Sequence, residues 1–282
     1  MRRNGERENG RAEEGESRSI ESSSTTPHSP RATIAGIEID NLSEDEALDR
    51  IEQLILGGGS HYMAVVNAAK VVSASRDARL RRMLMKGDLV TADGMSVVWA
   101  ARLLGRRLKG RVTGIDVFER LIERAAERGW AIYFLGAREH SVETLVERLR
   151  ARHPRLRVAG YRNGYFEDDE SDSIAEAIKR SGADLLFVGM GSPAQEKWIE
   201  ENLEKTGVKF ALGVGGSFDH VSGLVPRAPR WMQRAGLEWL HRLAREPRRL
   251  WRRYLVGNTL FILLVAKQMI KGKSDAGAMQ TD

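Results

Sequence analysis

Two hydrophobic rhythms alternate along this chain. Short apolar runs with little polar interruption, "YMAVV" (62–66), "DLVTA" (88–92), "WAIYFLGA" (130–137), "LRVAGY" (156–161), "ADLLFVGMGS" (183–192) and "VKFALGVGGS" (208–217), read as strands. The first of them ends near Asn67. Between them, apolar residues recur at helical spacing. Ser43 and Glu46 form a capping-box pattern that opens a helix through about Leu56. Further helices are predicted over 94–104, with Met95, Val98, Trp99 and Leu103 as its apolar positions, and over 114–129, closed by Gly129. The remaining helices are predicted over 139–152, 170–181 and 193–205. Strands alternating with helices imply parallel β/α units, so the predicted fold is α/β: a Rossmann-like, mainly parallel sheet with helices on both faces. "ATIAGIEID" (32–40) begins the folded part. From Arg230 onward only helix signals remain, the second helix restarting at Pro247. There is no internal repeat.

Domain boundaries follow from the changes in pattern. Residues 1–31 are polar and charged and cannot form a core, which predicts a disordered tail. An α/β domain is expected over 32–226, a basic amphipathic helical appendage over 227–271, and a flexible tail over 272–282. The 41% apolar and 30% charged content suits a globular protein with a real core. The chain has no cysteine, which excludes disulfides and thiolate metal sites. No apolar leader precedes the fold, so a cytoplasmic location is expected.

Charge changes the picture at the C-terminal end. Between Arg227 and Arg253 there are nine Arg against two Glu, a surplus larger than the +6 of the whole chain. Such a segment binds something anionic: nucleic acid, a lipid surface or a phosphorylated substrate. Trp231, Trp239, Trp251 and Tyr254 interleave with the Arg residues, and the apolar run "YLVGNTLFILLVA" (254–266) follows. That run is shorter than the ~20 residues a spanning helix needs. An interfacial helix with Arg at the headgroups and Trp at the boundary fits it, and a core helix with a solvated basic face is the plain alternative.

In open α/β sheets, ligands bind beyond the carboxyl ends of the strands. Here those ends carry Asn67, Asp93-Gly94, Gly136-Ala137, "GMGSPAQEKW" (189–198) and "GVGGSFD" (213–219). Gly189, Gly191, Gly213, Gly215 and Gly216 would let backbone amides approach an anion, most simply a diphosphate. The third glycine of G-x-G-x-x-G is missing, which argues against a nicotinamide enzyme. No P-loop motif and no D-x-D pair exist, and no two His have metal-ligand spacing, so neither a metal nor a cofactor is expected. Asp93 suits either a helix cap or a general base. Asn67 could also be a plain cap, Gln195 a solvent-facing helix residue, Asp219 a turn residue and Arg111 part of a solvated basic run. Trp198 reads as core, and "EDDES" (167–171) as a helix N-terminal charge cluster.

The succession "IAGIEIDNLS", "VVNAAKV", "ADGMSVVWAARLLG", "RVTGID", "YFLGA", "GYRNGYF", "ADLLFVGMGSPAQEKWI", "GVGGSFDHVSG" and "RAPRWMQRAGLEWLHRLAREPRRLWRRYL" resembles the WecG/TagA/CpsF glycosyltransferases over roughly residues 33–267. The resemblance implies a metal-independent, inverting enzyme on a Rossmann-like sheet with a membrane-associating appendage. The implied donor is a UDP-sugar, often of N-acetylmannosamine or its uronic acid. The implied acceptor is an undecaprenyl-diphosphate-linked sugar, attacking through its 4-hydroxyl at the cytoplasmic membrane face. It makes Asp93 the general base and puts Asn67, Arg111, Gly136, Gly189, Gly191, Gln195, Gly215 and Asp219 at substrate-binding positions. Arg230, Arg234, Arg242, Arg249 and Arg252 are expected to meet the membrane or the acceptor diphosphate. The expected partners are these two substrates, an anionic membrane surface and a second copy of the chain, with no nucleic acid. Members often carry Thr two residues before the Asn of the second motif; this chain has Val65 there.

Overall fold

The computed structural model describes residues 30–278; segments 1–29 and 279–282, and the side chains of Arg249, Arg253 and 272–278, lie outside the described residues. The tail expected over 1–31 therefore falls almost wholly outside them. Its last two residues do not: the Pro30 carbonyl accepts from the Asn41 N–H at 3.0 Å, and Arg31 opens a strand. β1 (Arg31–Ile34) and β2 (Ile37–Asp40) form an antiparallel hairpin. The two turn residues, Ala35 and Gly36, both have positive φ, 48° and 79°. That geometry matches the twist of the flanking strands. Arg31 Nε donates to Asp40 Oδ1 at 2.8 Å across the hairpin.

The β/α alternation then runs as the pattern predicts. α1 (Glu44–Gly57) starts from the Ser43–Glu46 capping box. β3 (His61–Val66), α2 (Ala68–Arg76), α3 (Ala78–Met85), β4 (Leu89–Ala92) and α4 (Met95–Leu103) follow. α5 (Gly114–Arg128) ends in a left-handed Gly129 and leads to β5 (Ala131–Gly136), α6 (Glu139–Arg152) and β6 (Arg157–Arg162). α7 (Ser171–Ser181), β7 (Leu185–Gly189), α8 (Ala194–Thr206), β8 (Phe210–Gly213) and the short α9 (Ser217–Val221) complete the α/β part.

The six-stranded sheet has the order β4-β3-β8-β7-β5-β6, and every neighbouring pair is parallel. All carboxyl ends therefore share one edge. Alternate residues of each central strand enter different cores. Ile132, Phe134, Leu185, Phe187, Phe210 and Leu212 pack on one face; Leu135, Leu186, Val188 and Ala211 pack on the other. Phe118, Phe134, Phe187 and Phe218 form an aromatic centre, with ring centroids as close as 4.6 Å. Burial on both faces is why these strands read as continuous apolar runs.

After Pro226 the chain is helical: α10 (Arg230–Arg234), α11 (Glu238–Arg245), α12 (Pro247–Trp251) and α13 (Gly257–Ala278), with a wide π turn over Arg252–Val256. Pro247 stands at the first helical position, where its missing N–H costs nothing. α13 extends past residue 271, where the sequence pattern suggested an end. Its stretch Tyr254–Lys271, counted with the π turn, is long and apolar enough to cross a membrane by length and composition. It nevertheless has a docked face. Phe261 and Val265 are buried among Ala32, Ile34, Val71 and Val97. Gln268 accepts from the Ala35 N–H at 2.7 Å and donates to the Thr33 carbonyl at 2.9 Å, so the hairpin turn is bound by α13.

Candidate active site

Two neighbouring strand ends place the predicted base. The Asp93 N–H donates to the Val66 carbonyl at 2.8 Å, and the Val112 N–H to the Ala92 carbonyl at 2.8 Å. The residue after β4 is thereby fixed against the end of β3. Gly94, with φ of 98°, occupies the cap position of α4, and no side chain caps that helix. The capping role open to Asp93 from the sequence is thus not the one it takes. Only glycine adopts that φ without strain, and the turn it makes leaves the Asp93 carboxylate facing a cavity.

The cavity measures about 470 Å³ and lies between the ends of β3 and β4 and the C-terminal helices. Asn67, Asp93, Arg111, Glu238 and Arg242 form its polar part. Burial raises the Asp93 pKa above the ordinary aspartate value; Arg242, Lys70 and Arg111 oppose the rise, and Glu238 adds to it. Asn67 caps α2 by accepting from the Lys70 N–H at 3.0 Å while also lining the cavity. Arg111 is not a solvated surface residue. Its Nη1 donates to Glu238 Oε2 at 2.6 Å, and Glu238 Oε1 accepts from Arg227 Nε at 3.3 Å. Arg227 also meets Asp116 at 2.6 Å. Glu238 therefore joins α11 to the strand-end loops.

The glycine-rich candidates form a second group along the same edge. Gly136 and Gly189 face each other across β5 and β7; a Cβ on Gly136 would lie 2.6 Å from the Gly189 backbone. Gln195 is buried, unlike the solvent-facing alternative. It accepts from the Gly215 N–H at 2.9 Å and donates to Glu196 Oε1 at 3.0 Å. Glu196 in turn pairs with Lys70 Nζ at 2.7 Å. Burial pushes the Glu196 carboxyl up, but Lys70 together with hydrogen bonds from Gln195 and Ser192 holds it below the ordinary range. This chain of contacts links the glycine group to α2, beside Asp93. Gly191 and Gly215 have positive φ at the turns after β7 and β8. Asp219 lies on α9, where its carbonyl accepts from the Val225 N–H at 2.9 Å. None of Gly136, Gly189, Gly191, Gln195, Gly215 and Asp219 lines the 470 Å³ cavity.

The predicted arginines separate. Arg242 lines the cavity, whereas Arg230, Arg234 and Arg252 are exposed on the helical segment. The Arg249 side chain lies outside the described residues. Trp198 is core, as read from the sequence. The reading of α4 changes: its core face is Val97, Ala100 and Ala101, while Trp99 and Leu103 face the cavity. Sequence reasoning missed Lys70, Glu196 and Glu238. A lysine three residues after Asn67 in the apolar "NAAKVV" was the available signal for the first; the Glu238 pairs span more than a hundred residues and leave no local trace.

Fold and cavity together define a Rossmann-like α/β protein whose site lies beyond the strand ends and is walled by its C-terminal helices. The chain belongs to the glycosyl transferase WecG/TagA/CpsF family, whose model matches residues 32–275. It is 34% identical over 194 residues to a protein of Bacillus spizizenii (strain W23) named N-acetylglucosaminyldiphosphoundecaprenol N-acetyl-beta-D-mannosaminyltransferase, covering 69% of this chain and 74% of the relative. A Bacillus subtilis (strain 168) protein of the same name is 35% identical over 193 residues, covering 68% and 74%. The protein is a glycosyltransferase, and its fold is the one expected from the strand and helix pattern.

Proposed function

We propose that this protein transfers N-acetylmannosamine from a UDP donor to an undecaprenyl-diphosphate-linked N-acetylglucosamine, with inversion, in cell-surface polymer synthesis. The relatives' names supply the substrate class, and the observation that carries the chemistry is Asp93, a desolvated carboxylate at the polar end of the cavity. Asp93 takes the proton from the acceptor hydroxyl as its oxygen attacks the anomeric carbon; the bond from that carbon to the diphosphate breaks, and UDP leaves. A carboxylate with a raised pKa is a stronger base than an ordinary one. The leaving diphosphate is served by backbone amides around Gly136, Gly189 and Gly191 and by the turn at Gly215, whose own N–H is taken by Gln195, which holds the turn in place.

Val65 stands where members often have Thr and is buried against Gly114, so any selectivity drawn from a hydroxyl there is lost. The exposed arginines and the outward apolar residues Leu255, Val256, Leu263 and Ile270 support peripheral binding to the inner face of an anionic membrane. The test is a panel of UDP-sugars with a lipid-diphosphate-linked N-acetylglucosamine acceptor, read by product mass. Transfer should be greatest from UDP-N-acetylmannosamine and should persist in EDTA. Abolition by EDTA with rescue by magnesium or manganese would overturn the metal-independent reading.

A further inference from the structure

The cavity has a second half that catalysis at Asp93 does not use. α4 leaves Asp93 at its N-terminus and presents Met95, Trp99 and Leu103 along one face. Leu103 therefore lies ~12 Å down the helix axis from the base end. The opposite wall is α13, with the preceding π turn. Tyr254, Asn258, Ile262, Val265, Ala266 and Met269 repeat at helical spacing and all face the cavity, a stripe of ~22 Å. The charged lining residues, Arg111, Glu238 and Arg242, are those whose fields reach Asp93. Apart from Asn67, Ser96, Asn258 and the Tyr254 hydroxyl, the rest of the lining is apolar.

This apolar half is open to solvent. Trp99 is 51%, Leu103 64% and Ile262 65% exposed, although all three line one cavity. Large apolar side chains left uncovered on a concave surface mark a place for an apolar ligand. The order along the groove is a charged end, with Asp93, Arg111, Glu238 and Arg242, and then aliphatic and aromatic residues. A sugar–diphosphate–prenyl molecule has the same order. The length beyond the arginines suits a few isoprene units, not a whole long chain.

We propose that the groove between α4 and α13 is a binding site for the first isoprene units of the acceptor's polyprenyl chain, so that the enzyme grips the lipid itself and does not merely meet it at a membrane surface. This inference rests on the lipid-linked acceptor of the proposed function. Seating the chain against Trp99, Leu103 and Ile262 would hold the diphosphate near Arg242 and the sugar hydroxyl near Asp93.

The test uses the full-length protein in detergent micelles, where no bilayer contributes. Two acceptors are compared, N-acetylglucosamine diphosphates bearing an undecaprenyl chain or a butyl group. The wild type should favour the prenyl acceptor by about tenfold or more in kcat/KM, the scale of burying a few methylenes. Leu103→Trp, which fills the groove without making it polar, and Ile262→Asn should each remove most of that preference. Both positions are exposed, so neither change empties the core. Equal use of the two acceptors by the wild type, or a preference unchanged in both variants, would overturn the groove and leave the proposed function standing. Transfer to neither acceptor would overturn the acceptor reading, and this inference with it.

Discussion

Asp93 sits where a charge is costly and a proton acceptor is useful. Its neutral form is favoured by burial, so its folded pKa lies above the unfolded value. The unfolded chain then releases this proton first as pH rises, and the group's contribution to stability falls from the ordinary aspartate range up to the folded pKa. With Asp93 as the proposed base, activity should have the opposite dependence, since only the ionised form accepts a proton. Asp93→Asn should lower turnover by about 10²-fold or more while UDP binding persists. The same variant should lack the loss of stability with rising pH, measured as Tm across that range. A variant with normal turnover would return Asp93 to a structural role. Glu196 has the reverse sign. Its folded pKa is lowered by Lys70, so it stabilises above the unfolded carboxylate range, and that contribution is lost as pH falls through the folded value. Glu196→Gln would leave Lys70 buried without its partner and should cost about 3 kcal/mol in urea unfolding. A change near zero would show that water reaches the pair. Asp93 was visible in the sequence because an acid–glycine pair ends a strand. Lys70 and Glu196 were not, because their pairing joins positions more than a hundred residues apart and leaves no local trace.

Among elements, the join between α11 and the strand-end loops matters most. Glu238 takes Arg111 from one loop and Arg227 from the segment leading into α10, so a single carboxylate fastens the helical segment over the cavity. Glu238→Gln should loosen α10 to α12, seen as faster amide exchange there and not in the sheet. It should also weaken acceptor use more than UDP binding. Unchanged exchange would mean that packing, such as Trp239 on Tyr254, holds the helices alone. The parallel sheet and most helices were legible because strand runs and helix spacing differ in period, and caps such as Ser43 and Gly129 mark their ends. α3 was overlooked because three arginines dilute "ARLRRMLM", though Leu80, Met83 and Leu84 keep its inward face. The orientation of α4 was misjudged for a different reason. Its large apolar residues point into the cavity and its small ones into the core, the reverse of the usual ranking.

For the whole molecule, the charge surplus and the docked α13 pull the C-terminal segment in two directions. One face of α13 belongs to the core through Phe261 and Val265, and the other is apolar and exposed. Binding to vesicles should need anionic lipid for strength, weaken in high salt as the arginine contribution is screened, and persist in part through apolar insertion. Flotation with and without added salt measures both contributions; binding to neutral vesicles with no salt dependence would remove the arginines from the account. The sequence showed that this segment is basic and apolar at once. It could not show that its last helix also closes the β1–β2 hairpin, because Gln268 and Ala35 are joined only by the fold. The proposed function turns on Asp93 activating a lipid-linked sugar hydroxyl toward a UDP-sugar. Its most direct test is single-turnover transfer from UDP-N-acetylmannosamine to undecaprenyl-diphosphate-N-acetylglucosamine, followed by product mass for the wild type and Asp93→Asn at equal donor occupancy. The wild type should give a product one N-acetylhexosamine heavier, and the variant a rate about 10²-fold lower; equal rates from the two proteins, or no transfer by the wild type, would show that Asp93 does not activate the acceptor.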